Sequence, residues 1–191
     1  MPACIKHKSQ LIVILLTLLS DIMGSRLFAA EINVNFVESD IVNGIYVVNA
    51  DLYYELGEKA VEALNNGIPL TFYIEVEFEQ PRKLIWNKPL IRHSHNIKLV
   101  HHSLSEQYVL TNLATKAQFS FDSLSDALLK LGKISKLPVV EEKQVTFENV
   151  LHGKIRSGLD IEALPAPMRI QAWLSSEWRI STGWIEWKIV P

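Results

Sequence analysis

The chain has 191 residues, of which 19 are Lys or Arg and 21 are Asp or Glu, so its formal net charge is −2. This balance speaks against nucleic acid or an anionic membrane surface as the main binding partner, because both attract proteins with an excess of basic residues. Cys4 is the only cysteine. Beyond that position the chain therefore has no disulfide, no thiolate zinc site and no cysteine nucleophile.

The N-terminus has the three parts of a secretory signal peptide. Lys6 and Lys8 precede an apolar run over 11–19, and the small pair Ala29-Ala30 follows it. A membrane-spanning helix needs about 20 consecutive apolar residues, and charged residues interrupt this run sooner. The pattern therefore predicts a signal peptide that is cleaved near Ala29 or Ala30.

We expect residues 1–30 to be removed and the protein to be exported to the periplasm, with an uncleaved N-terminal anchor as the alternative. Cys4 lies ahead of the apolar run and not at its end, which speaks against a lipid anchor. Since residues 1–30 contain three basic residues and one acidic residue, their loss leaves 16 basic and 20 acidic residues, a net charge of −4. The remainder has the usual size of one domain. We therefore predict a single domain over 31–191.

Alternation with a period of two residues is the strongest pattern in that range. Over 70–79 the even positions are apolar and the odd positions are Thr, Tyr or Glu, which predicts a half-buried strand. Residues 32–36 also alternate, and the pair Asn43-Gly44 leads into the β-branched and aromatic run 45–54, so we predict a hairpin. Further strands are predicted at 97–102, 108–111, 150–161, 168–174 and 184–190.

Two segments change to helical spacing. An apolar stripe over 56–64 ends just before Gly67, which can adopt the left-handed conformation of a helix cap. Ser123 precedes the second stripe, Asp126 lies at the distance of a capping box, and Gly132 closes the run. We therefore predict a mainly β fold: an antiparallel β-sandwich of about seven to nine strands, immunoglobulin-like in general architecture, with two short helices.

Four of the six histidines are clustered, namely His93, His95, His101 and His102. In an extended segment His93 and His95 share one face, which is a spacing seen among metal ligands. His101 and His102 lie on opposite faces of a strand, so at most one of them can join the pair. Surface histidines in a polar segment explain the cluster equally well, and their charge would change near pH 6.5. We expect no metal and no other cofactor, with His93 and His95 as the metal-ligand candidates.

Four of the five tryptophans lie near the C-terminus, at Trp173, Trp178, Trp184 and Trp187. An exposed group of such rings would suit stacking on a sugar or a hydrophobic peptide, and packing in and around the core is the alternative. If 184–190 is a strand, Trp184 and Trp187 lie on opposite faces. One ring could then pack in the core while the other faces outward.

Motifs that would commit the chain to a reaction are missing from the sequence. Glu75, Glu77 and Glu79 line one face of the predicted strand 70–79, and glycoside hydrolysis uses two carboxylates at a defined separation. Evenly spaced glutamates are also the ordinary composition of the solvated face of an amphipathic strand. The sequence has no nucleophile elbow, glycine-rich phosphate loop or H-E-x-x-H motif, and we predict that the protein is not an enzyme.

Several stretches together carry a resemblance to a known family: 62–70, the pair Pro81-Arg82 with Trp86, 102–104 with 108–110, 121–132 with 137–140, and 176–187. As a set they resemble a family of exported bacterial proteins, domain of unknown function 4390, also called proline-rich signal peptide proteins. The resemblance covers nearly all of 31–191. It implies no established activity, ligand or catalytic residue. It does imply a candidate partner, a membrane-bound sensor histidine kinase, because genes similar to this one are often found beside the gene of such a kinase.

Two functions remain open from the sequence. The first is a periplasmic, non-enzymatic binding or accessory protein for an envelope protein such as that kinase. Its contact surfaces would be the loop with Arg82 and Trp86 and the tryptophan-rich C-terminal segment, because Trp and Arg dominate interface energies where they are exposed. The alternative is a module that binds glycan or a small hydrophobic ligand through the C-terminal tryptophans.

Overall fold

The computed structural model describes residues 30–80, 88–144 and 151–189. Within these ranges the strands are Glu31–Val42 (β1), Ile45–Glu55 (β2), Leu70–Gln80 (β3), Lys88–His102 (β4), Gln107–Asn112 (β5), Gln118–Phe121 (β6), Lys133–Glu141 (β7), Leu151–Leu159 (β8) and Ile185–Ile189 (β9). The α-helices are Glu58–Asn65 (α1), Leu124–Gly132 (α2) and Ala166–Leu174 (α3). Among the described residues, none of the helices has the length and apolar character needed to cross a membrane.

The strands form two antiparallel sheets. One has three strands in the order β1-β2-β7, and the other has six in the order β6-β5-β4-β3-β8-β9. The predicted hairpin is β1 and β2, which are joined at Asn43 and Gly44. Both of these residues have positive φ, 53° and 74°, as a two-residue turn between twisted strands requires. The mainly β, antiparallel fold class predicted from the sequence is confirmed.

The two sheets pack face to face over one apolar core. The alternating segment 70–79 became β3, and its even positions are all buried. Tyr46 and Tyr54 of the small sheet meet Phe78 and Phe72 of the large sheet edge to face, with ring centroids 5.9 and 5.5 Å apart. This inter-sheet packing makes the arrangement a sandwich.

The two predicted helices are confirmed as α1 and α2. At the start of α2 the Ser123 hydroxyl accepts a hydrogen bond from the backbone N–H of Asp126, at 3.1 Å, which satisfies a donor of the first turn. At its end, a Cβ on Gly132 would lie within 1.9 Å of the carbonyl oxygen of Leu52. Glycine therefore lets α2 lie directly against β2. After α1, Gly67 has φ +79°, as the predicted left-handed cap requires.

The strand predicted at 168–174 is wrong, because this segment is the C-terminal part of helix α3. Pro165 and Pro167 fix φ near helical values at the first turn, where their missing N–H groups have no partner in any case. Inside the helix, Met168 and Ala172 are four residues apart and face the core. The side chains that face the core are therefore four residues apart, whereas the predicted strand would place them two residues apart.

Strands β6 and β7 were not predicted. β6 has only four residues, and β7 contains Pro138 and an irregular register against β2. Two strand ends also differ from the predicted ones: β4 begins at Lys88 and not at 97, and β8 ends at Leu159 and not at 161. Asp160 then caps a short 3-10 turn by accepting from two backbone N–H groups.

Candidate functional site

Helix α3 carries three large apolar side chains that are strongly exposed and lie together. Ile170, Trp173 and Leu174 are 69, 59 and 82% exposed. They are spaced i, i+3 and i+4, so they share one side of the helix. We call these three residues the α3 apolar face. Contiguous exposed apolar surface is uncommon on soluble domains and marks sites of interaction.

The opposite side of α3 is fixed to the domain. Ala172 is fully buried, and Leu164, just before the helix, is 1% exposed. The guanidinium Nε of Arg169 donates to the carbonyl oxygen of Leu164 at 2.8 Å. After the helix, Lys59 of α1 lies 3.3 Å from Glu177, in the 3-10 turn Ser176–Trp178. These contacts attach α3 and the turn that follows it to the rest of the domain.

Trp173 and Trp178 have opposite environments. Trp173 projects into solvent from α3, whereas Trp178 is 4% exposed and belongs to the core. Trp178 therefore packs in the core, and its ring is not part of the surface. A surface role is therefore tested by substituting Trp173 and not Trp178.

Trp184 and Trp187 lie on opposite sides of the large sheet, as their alternation predicts. The Arg156 guanidinium covers the Trp184 ring at 4.5 Å from its centroid, a cation–π contact. The Trp187 indole turns toward the core, where it meets Phe78 edge to face at 6.2 Å and donates from Nε1 to the Ser39 hydroxyl at 3.1 Å. The four C-terminal rings thus do not form one platform. Two other candidate surface residues, Arg82 and Trp86, lie outside the described residues.

The histidine pair has the geometry expected from its spacing. His93 and His95 share one face of β4, with ring centroids 5.2 Å apart, and His101 stacks on Tyr108 at 4.6 Å. In the parts of the chain that the structure describes, no three His, Cys, Asp or Glu side chains are grouped to hold a metal. Burial, and to a smaller extent the neighbouring His93, lower the pKa of His95 below its usual value of 6.5, so its neutral form is favoured.

The glutamates of β3 form a row of cross-strand ion pairs on the outer face of the large sheet. Three contacts make up the row: Glu75 to Arg156 at 2.6 Å, Glu77 to Arg92 at 3.3 Å, and Glu79 to Lys154 at 2.8 Å. Opposite charges on neighbouring strands stabilise a sheet. The contact with Glu75 also holds Arg156 over Trp184, so this row has a packing role.

Sequence reasoning found Trp173 but missed Ile170 and Leu174. The strand predicted at 168–174 would place Ile170 and Trp173 on opposite faces. The available signal was the pair of prolines at 165 and 167, which is typical of a helix start. It is the helix that brings the three side chains together.

Comparison with known proteins identifies a family. The model of the family described as "Domain of unknown function (DUF4390)" matches residues 29–188, and this range includes nearly all of both sheets and the α3 apolar face. No curated protein and no solved structure matches the chain. The match spans most of the chain, and the chain belongs to the DUF4390 family.

Proposed function

We propose that this protein is an exported, periplasmic, non-enzymatic accessory protein that binds the extracytoplasmic part of an envelope protein through the α3 apolar face. A membrane sensor histidine kinase is the candidate partner that the family resemblance implies. The observation that carries the proposal is the exposure of Ile170, Trp173 and Leu174 on one side of a helix whose other side packs on the core. A partner with an apolar recess would bury these side chains.

The composition around α3 favours a protein over a lipid surface. A helix that lies on a membrane has a polar side rich in Lys and Arg, but α3 has a single basic residue, Arg169, and its Nε is already bonded to the backbone. The residues on either side of the helix in the chain carry both signs, because Glu162 precedes it and Glu177 and Arg179 follow it. An apolar centre with a mixed polar rim is the usual composition of a protein–protein interface.

Trp173 is the residue expected to contribute most to the binding energy. Tryptophan is enriched among the few interface residues whose truncation costs about 2 kcal/mol or more, and these lie near the centre of the contact. Its neighbours Ile170 and Leu174 would fill the partner's recess beside the ring. Glycan stacking is less well supported, because Trp184 is covered by Arg156 and Trp178 is buried.

Affinity capture with matched variants tests the proposal. The tagged full-length chain, Trp173→Ala and Leu104→Ser are each captured from crosslinked cell envelopes, and enriched proteins are identified by mass spectrometry. Leu104 is the control, because it is fully exposed in the turn between β4 and β5 and lies off α3. Both substitutions replace exposed side chains and should change stability by no more than about 0.5 kcal/mol.

We expect one envelope protein to be enriched by the native chain and by Leu104→Ser, and lost with Trp173→Ala. Its purified extracytoplasmic domain should then bind Trp173→Ala about thirtyfold more weakly, which corresponds to about 2 kcal/mol. Equal binding of the native chain and Trp173→Ala would refute the proposed surface.

A further inference from the structure

A recess lies between the large sheet and the elements α2 and β7, and none of its lining residues belongs to α3. It has a volume of about 260 Å³ and is lined by β3, β4, β5 and β6 on one side and by α2 and β7 on the other. Its floor consists of buried aliphatic side chains: Ile74, Leu110, Leu131 and Leu137. We call this recess the β7 cavity.

The rim of the β7 cavity is cationic. Lys130, Lys133 and Lys136 all line it, and no acidic side chain is among its described lining residues. The ammonium group of Lys133 lies 2.7 Å from Asp51 and is therefore paired. Lys130 lies over the exposed ring of Phe119, with 5.0 Å between Nζ and the ring centroid. Among the described residues, no carboxylate pairs with Lys130 or Lys136.

Strand β7 is irregular where it lines the cavity. All of 133–138 lines the recess, with Lys133 and Lys136 among these residues. The register between β2 and β7 shifts beside Asn49, where Lys136 has φ +50° and its backbone N–H donates to the Asn49 side chain at 2.8 Å. Left-handed conformations of residues other than glycine are costly and concentrate at functional sites, and bulges redirect side chains there.

The wall of the β7 cavity also contains a polar group without a partner. His95 lines the cavity, and its Nδ1 is buried with no hydrogen-bond partner among the described residues. Buried polar atoms are nearly always hydrogen-bonded. A ligand with a polar head could complete the hydrogen bonding of this imidazole.

We propose that the β7 cavity binds a small anionic amphiphile, whose apolar body lies on the aliphatic floor and whose carboxylate meets Lys130 and Lys136 at the rim. The charge of the rim selects the anion, and the buried floor selects the apolar body. This site is separate from the α3 apolar face and does not depend on the function proposed for it.

The volume of the cavity sets the size of the ligand. A water molecule occupies about 30 Å³ in the liquid, so 260 Å³ corresponds to roughly nine waters. Octanoate, which has about as many non-hydrogen atoms, is the appropriate probe. Octanol and octylammonium have the same chain with a neutral and a cationic head.

The test is calorimetric titration of the purified full-length chain with octanoate, octanol and octylammonium. We expect octanoate to bind with a dissociation constant below about 1 mM, and at least about tenfold more tightly than octanol, because each charged contact is worth about that factor. Octylammonium should be the weakest of the three. Absence of saturation by octanoate up to about 10 mM, or equal affinity for octanoate and octanol, would overturn the proposal.

Three variants locate the binding. Lys136→Gln should weaken octanoate about tenfold and leave octanol unchanged, whereas Ser135→Trp, which adds a ring at the exposed rim, should weaken both. Lys116→Gln is the matched control, because Lys116 is also an exposed lysine with positive φ, at 63°, and does not line the cavity. Equal loss of octanoate binding in Lys116→Gln and Lys136→Gln would place the binding elsewhere. The comparison of the three ligands uses only the native chain, so it tests the proposal even if a variant fails to fold.

Discussion

The hydrogen bond between Tyr54 and Ser157 joins the two sheets inside the core, and its removal gives a defined prediction. The two hydroxyl oxygens are 2.8 Å apart, and both residues are buried. Ser157 donates its own hydrogen to the carbonyl oxygen of Tyr73 at 2.8 Å, so Tyr54 must be the donor in the inter-sheet bond. Burial raises the pKa of Tyr54, which keeps this hydroxyl protonated.

The three variants of this pair should lower the free energy of unfolding by different amounts. Tyr54→Phe keeps the ring against Phe72 and loses one hydrogen bond, about 1 kcal/mol. Ser157→Ala leaves the Tyr54 hydroxyl buried without a partner and should cost about 2 to 3 kcal/mol. The double variant has no orphaned hydroxyl at position 54, so it should cost about 2 kcal/mol, clearly less than the sum of the single variants.

Urea unfolding of the native chain and the three variants measures this coupling as a double-mutant cycle. The expected coupling free energy is about 1 kcal/mol or more, which exceeds the scatter of about 0.5 kcal/mol seen for independent sites. In thermal unfolding, each kcal/mol corresponds to roughly 2–4 °C for a chain of this size. If the two single costs simply added, the inter-sheet hydrogen bond described here would be refuted.

Three further changes test local features. Ser123→Ala removes the N-cap of α2 and should cost about 1 kcal/mol in urea unfolding; no loss would mean that the cap is not formed. A Cβ on Gly153 would lie 2.3 Å from ring carbons of Trp187, so Gly153→Ala should shift tryptophan fluorescence and cost about 1–3 kcal/mol, and an unchanged spectrum would contradict the inward placement of that ring. Because the pKa of His95 is lowered, the folded state binds fewer protons than the unfolded state, and stability should fall as the pH drops from 6.5 toward the lowered pKa. His95→Gln should flatten this part of the stability curve, and an identical slope in both proteins would argue against a half-buried, neutral His95.

Local patterns predicted the features of the fold that depend on neighbours in the chain. The alternation over 70–79 is strict because β3 turns its apolar face to the core and its polar face to the other side of the sheet, where Glu77 and Glu79 are only 5 and 8% exposed and are paired with basic side chains. The pair Asn43-Gly44 fixes a hairpin because both residues accept positive φ. Ser123 and Gly132 mark the ends of α2 through a cap and a close backbone contact.

Features that depend on distant parts of the chain could not be read in this way. By composition the segment 168–174 suits a strand or a helix equally well, and the local sign of a helix, the prolines at 165 and 167, stands just before it. The bulge near Lys136 breaks the alternation of β7, so the strand went unrecognised. The β7 cavity needs six elements from separate parts of the sequence, and no local pattern encodes it.

Site-specific photocrosslinking in intact cells tests the central claim, the binding role of the α3 apolar face, most directly. A photoreactive phenylalanine is placed at position 170 on this face, or at position 104 in the β4–β5 turn, and the products are separated by mass after illumination. The account predicts one discrete adduct with an envelope protein from position 170, and none of that mass from position 104. The same adduct from both positions, or no adduct from position 170, would contradict it.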